Sequence, residues 1–127
     1  VIEMGANHQQ EIAYLTDIAR PDIAFITNAG PVHLEGFGSL EGVAKGKGEI
    51  FQGLRQAGVA VINADDAFAA YWQGLNKDRK QVTFGVDNPA TVQAKSISLD
   101  SDGFPSFTLV TPLGEVSIRL QQLGMHN

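Results

Sequence analysis

Residues 33–51 read HLEGFGSLEGVAKGKGEIF, and the spacing of apolar residues predicts a helix over residues 40–54. With about 100° of rotation per residue, Val43 and Lys47 fall on the same side of this helix. Lys45 points in nearly the opposite direction. The pattern therefore predicts that Lys47 faces the interior of the protein and that Lys45 faces solvent.

Two interpretations of Lys47 follow from this position. Desolvation favours the neutral amine of a lysine, which beside a histidine-bearing loop indicates chemistry. Alternatively, the aliphatic stem lies along apolar surface while the ammonium group reaches water. The same helix contains Gly42, Gly46 and Gly48, although each glycine costs about 1 kcal/mol relative to alanine. These glycines indicate that another backbone or a ligand comes close to the helix.

The segments on either side of this helix alternate between strand and helix patterns. Buried parallel strands are predicted at residues 23–27, 59–62 and 81–84, and residues 1–4 are predicted to be the tip of an earlier strand. Helices are predicted at residues 11–19, at residues 40–54 after the N-cap Ser39, and up to residue 75 after a cap at Asp65 or Asp66. The first of these complete strands, residues 23–27, is expected to be covered on both faces. This alternation is typical of a Rossmann-like α/β fold with a mostly parallel sheet flanked by helices.

The pattern changes after residue 88. Residues 91–99 and 115–120 alternate between apolar and polar side chains, and residues 104–111 are strand-like. Turn signals at residues 101–103 and 112–114 separate them. We therefore predict an α/β part at residues 1–88, followed by a small antiparallel meander within residues 89–127.

Length and composition exclude several classes of protein. The 127 residues suffice for one domain, and a net charge of -5 argues against a nucleic-acid or anionic-membrane surface. The absence of cysteine excludes disulfides and thiolate metal sites, and no apolar run is long enough to span a membrane. Val1 lacks a preceding strand start and an initiating methionine, so we expect a piece of a larger protein.

Polar residues follow two of the predicted strands, where parallel sheets commonly bind ligands. Glu3 and His33 could approach each other there, and a carboxylate with an imidazole suits magnesium or manganese. Alternatively, Glu3 merely ends a strand and His33 is a loop histidine with satisfied hydrogen bonds. The remaining acidic residues that we considered in this region, Glu35, Glu41 and Glu49, are expected to be solvated.

Six segments occur in an order that closely resembles the central domain of the Mur ligase family: residues 3–8, 27–28, 33–39, 44–51, 63–65 and 124–127. The resemblance covers essentially the whole chain. It implies a bacterial, cytoplasmic, ATP-dependent enzyme that forms an amide bond in peptidoglycan synthesis. The members that it resembles most closely add D-Ala-D-Ala to UDP-N-acetylmuramoyl-tripeptide through an acyl phosphate.

The resemblance also implies roles for individual residues. Glu3 and His33 resemble the Mg²⁺ ligands of the family, and Lys47 resembles a lysine that is carbamylated and helps to hold the metal. Asn127 resembles the first asparagine of a segment near the adenine of ATP, so residues 89–127 would include the start of that adenine-binding segment. Asn28 lies in a loop that flanks the nucleotide.

The departures from the family pattern are also informative. A phosphate-binding loop, a second adenine-side asparagine, and the family's N-terminal and C-terminal domains are missing from the sequence. We therefore expect the isolated chain to fold without catalysing the reaction. Three alternatives are a ligase resembling folylpolyglutamate synthase, a non-catalytic nucleotide- or metal-binding module, and a metal hydrolase using Glu3 and His33. The Glu-Gly-Phe-Gly-Ser loop after His33 favours the D-Ala-D-Ala-adding class over the first of these.

Overall fold

A computed structural model describes residues 1–31 and 34–124, and it describes Leu34 by its backbone only. The helices are α1 (Glu11–Ala19), α2 (Leu34–Phe37), α3 (Leu40–Gly48) and α4 (Ala69–Leu75), and a 3₁₀ turn at Glu49–Phe51 directly continues α3. The strands are β1 (Ile23–Ile26), β2 (Val59–Asn63), β3 (Lys80–Gly85), β4 (Val92–Leu99), β5 (Pro105–Thr111) and β6 (Gly114–Arg119).

These strands form one mixed sheet in the order β1-β2-β3-β4-β5-β6. The pairs β1–β2, β2–β3 and β3–β4 are parallel, and the pairs β4–β5 and β5–β6 are antiparallel. Ile26 pairs with Ile62, which in turn pairs with Thr83, so the carboxyl ends of the first three strands lie side by side. The predicted α/β fold, with its antiparallel meander at residues 92–119, is confirmed.

The pairing of β3 with β4 is short and staggered. Phe84 pairs with Val92 and Gly85 pairs with Gln93, so β4 begins beside the end of β3. Parallel strands usually require a connection of a dozen or more residues, because the chain must return to the start of the sheet. Here residues 86–91 are a long enough connection, because β4 begins level with the end of β3 and the chain does not have to return to the start of β3.

The core lies between the helices and one face of β1 and β2. The sheet contributes Ala24, Ile26, Ala60 and Ile62, and the opposite side contributes Ala44, Phe51, Leu54 and Trp72. All of these side chains are at most 5% exposed. Full burial of one large apolar side chain stabilises the fold by about 1.5–3 kcal/mol, so this cluster anchors α3 and α4 on the sheet. Within residues 1–31 and 34–124, no helix is long and apolar enough to cross a bilayer.

Strand β1 is covered on one face only, which corrects the expectation that both faces would be covered. Ala24 and Ile26 are buried, whereas Ile23 is 64% exposed and Phe25 is 53% exposed. Side chains alternate between the two faces of a strand, so the helices that cover Ala24 cannot cover Phe25. An apolar run alone does not reveal how many of its faces are covered.

Three predicted element boundaries also differ from the structure. Residues 1–4 are irregular, because an apolar run cannot form a strand without a ladder partner. The helix predicted over residues 40–54 ends at Gly48 and tightens into the 3₁₀ turn, in which Gln52 N–H donates to Glu49 O. Helix α4 begins only at Ala69, and its N-cap Phe68 provides no side-chain cap.

Candidate functional site

Lys47 lies on the inner side of α3, close to the carboxyl end of β1. Its side chain is half-buried, whereas that of Lys45 is exposed, so the predicted orientation of the two lysines is confirmed. The Lys47 Nζ group donates a hydrogen bond to the backbone oxygen of Asn28 at 2.6 Å. A lysine held by a carbonyl at this edge of the sheet is available to a ligand bound there, although its chemical role stays a prediction.

Helix α3 is placed by its cap and by its glycines. The Ser39 hydroxyl accepts a hydrogen bond from Gly42 N–H at 3.0 Å, which confirms the predicted N-cap. A side chain at Gly42 would meet the backbone oxygen of Phe37, and one at Gly46 would meet the Phe37 ring. The close neighbours that the glycines predicted are therefore parts of the protein itself.

Glu3 and Lys47 line a common groove of about 370 Å³, together with Met4, Thr27, Ile50 and other residues. The side chain of Glu3 is exposed, so its carboxylate can exchange water for a ligand. His33, which the sequence placed beside Glu3, lies outside the described residues. The structure therefore brings Glu3 and Lys47 to one groove, and metal binding by Glu3, His33 and Lys47 stays a prediction.

Among residues 1–31 and 34–124, no three acidic or histidine side chains cluster closely enough to hold a metal ion. Glu3 offers one carboxylate, and the Lys47 amine is a hydrogen-bond donor in the structure. Mg²⁺ prefers oxygen ligands, so an unmodified lysine cannot serve as one. The described residues would therefore need additional oxygen donors to complete a magnesium site.

Asn28 takes part in the site through its backbone. Its carbonyl accepts the Lys47 hydrogen bond, and its side chain is exposed. Sequence reasoning had placed Asn28 beside a nucleotide without distinguishing backbone from side chain. Asn127, the predicted adenine-side residue, lies outside the described residues.

The chain leaves β1 in an irregular segment around Asn28, residues 27–29, which we call the β1 turn. Asn63 Nδ2 donates to Thr27 O at 2.8 Å, and Ala29 N–H donates to Asp66 Oδ2 at 2.7 Å. The sequence favours Asp66 as a helix cap. Its other oxygen does accept Phe68 N–H at 2.8 Å, one residue before α4, so the capping interpretation is only partly right.

Asp65 holds the loop after β3. Its carboxylate accepts three backbone N–H groups, from Val86, Asp87 and Asn88. Partial burial acts to raise the pKa of Asp65, but these three N–H groups outweigh it and the pKa lies below its ordinary value. The predicted cap at Asp65 is therefore wrong, because the carboxylate turns away from α4 toward this loop.

Glu49 corrects the expectation that it would be solvated. It is only 7% exposed, and its two oxygens accept Gln10 N–H at 2.7 Å and Ala13 N–H at 3.2 Å. Gln10 precedes α1 and Ala13 lies in its first turn, so Glu49 satisfies N–H groups that the helix leaves unpaired. The helical period places Glu49 near the outward side of Lys45, and it could not indicate a partner 39 residues away.

The loop at residues 5–10 packs closely on α2 and α3. A side chain at Gly36 would collide with the backbone oxygen of Asn7, and Gln9 Nε2 donates to Gly42 O at 2.7 Å. Glu11 accepts Asn7 N–H and lies 3.1 Å from His8 Nδ1, and both contacts lower its pKa. The segment after Glu3 is thereby fixed against the helices that carry the site.

Comparison with known proteins agrees with this fold. The model of the Mur ligase middle domain matches residues 1–127, and the chain belongs to this family.

Similar proteins within this family include ligases that share one name. The chain is 47% identical, over 127 residues, to the UDP-N-acetylmuramoyl-tripeptide–D-alanyl-D-alanine ligase of Haemophilus influenzae, covering all of this chain and 27% of that protein. A crystal structure of MurF from Acinetobacter baumannii matches with a TM-score of 0.93 at 37% identity, covering 100% of this chain and 27% of the other. MurF ligase from Thermotoga maritima in complex with ADP matches with a TM-score of 0.79 at 26% identity, covering 92% and 26%. The chain thus spans about 27% of the length of these relatives.

Proposed function

We propose that this chain acts as the middle domain of an ATP-dependent ligase that joins D-Ala-D-Ala to UDP-N-acetylmuramoyl-tripeptide in bacterial peptidoglycan synthesis. The observation that carries the proposal is the 47% identity, over the whole chain, to a ligase named for that reaction. The ADP-bound relative supports nucleotide binding by the same fold. Because the reaction consumes ATP and a UDP-linked precursor, we place the protein in the bacterial cytoplasm.

The proposed residues of the reaction site are Glu3, His33 and Lys47, which would hold Mg²⁺, and Asn28 and Asn127, which would lie on the nucleotide side. The support for Lys47 is its half-buried position in the groove that it shares with Glu3. A lysine amine in its neutral form can add CO₂ to form a carbamate, with the release of one proton. The carbamate would supply the anionic oxygen that the amine lacks. Bound magnesium would neutralise phosphate charge during transfer.

The contribution of the chain itself is to hold these groups in fixed positions. The cap of α3 and the core beneath it set the position of Lys47, and the Asn28 carbonyl orients its amine. Orientation of reacting groups is a large part of catalysis in phosphoryl and acyl transfer. A rigid carboxyl edge is therefore the property that the proposed function requires.

A chimaera tests the proposal. Residues 1–127 replace the matching segment of the Haemophilus influenzae ligase, and phosphate release is measured with UDP-N-acetylmuramoyl-tripeptide, D-Ala-D-Ala and Mg-ATP. We expect turnover. The Lys47→Ala variant of the chimaera should lose at least roughly 100-fold in rate, with partial rescue by acetate, because a ligand of the metal is removed.

The matched control is Lys45→Ala, since this lysine is exposed on the same helix. It should change the rate by less than about twofold, the effect expected of a solvated surface charge. Equal losses in the two variants, or full activity without Lys47, would refute its assignment. A folded chimaera that is inactive with D-Ala-D-Ala would count against the proposal. Activity with glutamate and a folate, when the same residues replace the matching segment of a folylpolyglutamate synthase, would favour that alternative.

The chain alone is expected to show no turnover, because it spans about 27% of the length of ligases with this activity. Calorimetric titration with Mg-ATP and a phosphate-release assay on the 127-residue chain measure this. Tight nucleotide binding without turnover would instead favour a non-catalytic nucleotide-binding module. Metal-dependent hydrolysis by the chain alone would favour the hydrolase alternative.

A further inference from the structure

The β1 turn is fixed by side chains from two other elements. Asn63, at the end of β2, donates from its Nδ2 group to the backbone oxygen of Thr27. Asp66 accepts the backbone N–H of Ala29. Between them, the carbonyl of Asn28 accepts the Lys47 amine. Each residue of the turn is thus tied by a different side chain, and Lys47 is the one that lines the groove.

Both holding side chains are themselves fixed. The Asn63 oxygen accepts Asp65 N–H at 2.9 Å, which orients its amide so that the Nδ2 group points at the turn. Asp66 uses one oxygen for the turn and the other for Phe68 N–H, directly before α4. Because Asp66 is bound both to the backbone directly before α4 and to the β1 turn, it fixes the turn relative to the start of α4.

We propose that Asn63 and Asp66 are positioning residues for Lys47, acting through the Asn28 carbonyl. They keep the β1 turn where this carbonyl meets the amine, and they thereby set where the amine stands in the groove. The value of this arrangement for catalysis rests on the proposed function, in which Lys47 belongs to the reaction site. The position of the Lys47 amine can be tested by an experiment that does not measure ligase activity.

Asp65 provides a matched control within the same segment. It too is a half-buried carboxylate that binds backbone N–H groups, but these belong to residues 86–88 after β3. Replacing either aspartate by asparagine removes one negative charge at nearly constant size. The two variants therefore differ in which loop they loosen.

The experiment measures the exposure of the Lys47 amine relative to that of Lys45. The 127-residue chain and its Asp66→Asn and Asp65→Asn variants are treated with a limiting amount of acetic anhydride, and acetylation at each lysine is read by peptide mass spectrometry. Lys45 is exposed two residues away on the same helix, so it serves as the internal reference. We expect the Lys47 to Lys45 ratio to rise roughly threefold to tenfold in Asp66→Asn, the factor that corresponds to loss of one hydrogen bond. The ratio should stay unchanged in Asp65→Asn.

Two results would overturn the proposal. One is an unchanged ratio in a folded Asp66→Asn variant, and the other is the same rise in both variants, which would reflect general loosening. If circular dichroism shows that Asp66→Asn does not fold, Asn63→Asp carries the same test, since it keeps the oxygen facing Asp65 N–H but loses the donor to the β1 turn. An inactive chimaera would count against the proposed function and would leave the acetylation ratio unaffected.

Discussion

The parallel strands β1–β3 and the meander β4–β6 belong to one sheet but are stabilised in different ways. At the carboxyl ends of the parallel strands, side chains of residues 63–66 bind the turns that follow β1 and β3. In the meander, sequence neighbours pair through hairpin ladders, and an exposed ion pair joins Arg119 to Asp100 at 2.6 Å. At the parallel end, where the candidate site lies, side chains therefore join loops from different strands, whereas Asp100 accepts N–H groups from its own hairpin.

Side chains in the parallel region are also more deeply buried than those in the meander. In the part of the chain that the structure describes, the buried hydrophobic side chains lie between Ile12 and Trp72. Along β4, β5 and β6, side chains are half-buried or exposed, with Pro105 as the buried exception. The parallel region thus carries most of the packing energy, and mutations should have unequal effects in the two parts.

The largest difference should come from truncating a core aromatic side chain. Trp72 is fully buried, and its indole N–H donates to Ala44 O at 2.9 Å. Trp72→Ala should lower the free energy of unfolding by about 3–5 kcal/mol, because it leaves a cavity and removes a hydrogen bond. Val116→Ala in β6, where the side chain is 51% exposed, should cost less than about 1 kcal/mol. Urea unfolding of both variants measures this, and similar losses would show that the meander is packed as tightly as the core.

An intermediate effect is expected from adding one methyl group at Gly36. There, a Cβ atom would collide with the backbone of the loop at residues 5–10, and backbone yields less readily than a side chain. Gly36→Ala should destabilise the chain by about 1–3 kcal/mol. At Gly74 in α4 the space is open, so Gly74→Ala should stabilise by about 0.5–1 kcal/mol. The midpoints of thermal unfolding should therefore move in opposite directions, and two shifts of the same sign would contradict the contact between the loop and α2.

The smallest effect concerns acid stability, where each region contains one aspartate with a lowered pKa. Hydrogen bonds from Arg119 and from Phe104 N–H lower the pKa of Asp100, and backbone N–H groups lower that of Asp65. A pKa that is lower in the folded than in the unfolded state stabilises the fold above about pH 4, and this stabilisation is lost as pH falls through the folded-state value. Asp65→Asn and Asp100→Asn should therefore differ most from the parent chain at about pH 7, and the difference should shrink as the pH falls below about 4.

Salt distinguishes these two aspartates. The partner of Asp100 is an exposed guanidinium, so the stability that Asp100 contributes to the fold should shrink as the salt concentration rises. The partners of Asp65 are neutral N–H groups, and its contribution should change little. Urea midpoints in low and high salt at neutral pH measure this. An equal salt response in the two variants would contradict the assignment of an ionic partner to one and neutral partners to the other.

Local patterns predicted much of the fold. The period of α1 gave its bounds, the hydroxyl of Ser39 gave the cap of α3, and the direction of Lys47 followed from helical geometry. These features depend on residues within a few positions of one another. Residues 1–4 and the outer face of β1 were predicted wrongly, since covering a strand depends on elements far away in the sequence.

The polar framework of the site was less predictable for the same reason. Asp66 and Glu49 look like a helix cap and a surface charge, but their partners lie 37 and 39 residues away. No local period encodes such a pairing. Glu3 lines the groove with Lys47 although residues 1–4 form no strand, and its role as a metal ligand stays a prediction. The roles of His33 and Asn127 also stay predictions, because both residues lie outside the described residues.

The stagger between β3 and β4 has a consequence for the shape of the sheet. Only the first two residues of β4 pair with β3, so residues 94–99 run on past the ends of the parallel strands. At about 3.3 Å per residue, this overhang is about 20 Å long. The outline of the sheet is therefore a step, and the meander is a lateral wall beside the parallel strand ends. A molecule resting on those ends would meet this wall on one side, so the stagger limits the directions from which it can approach.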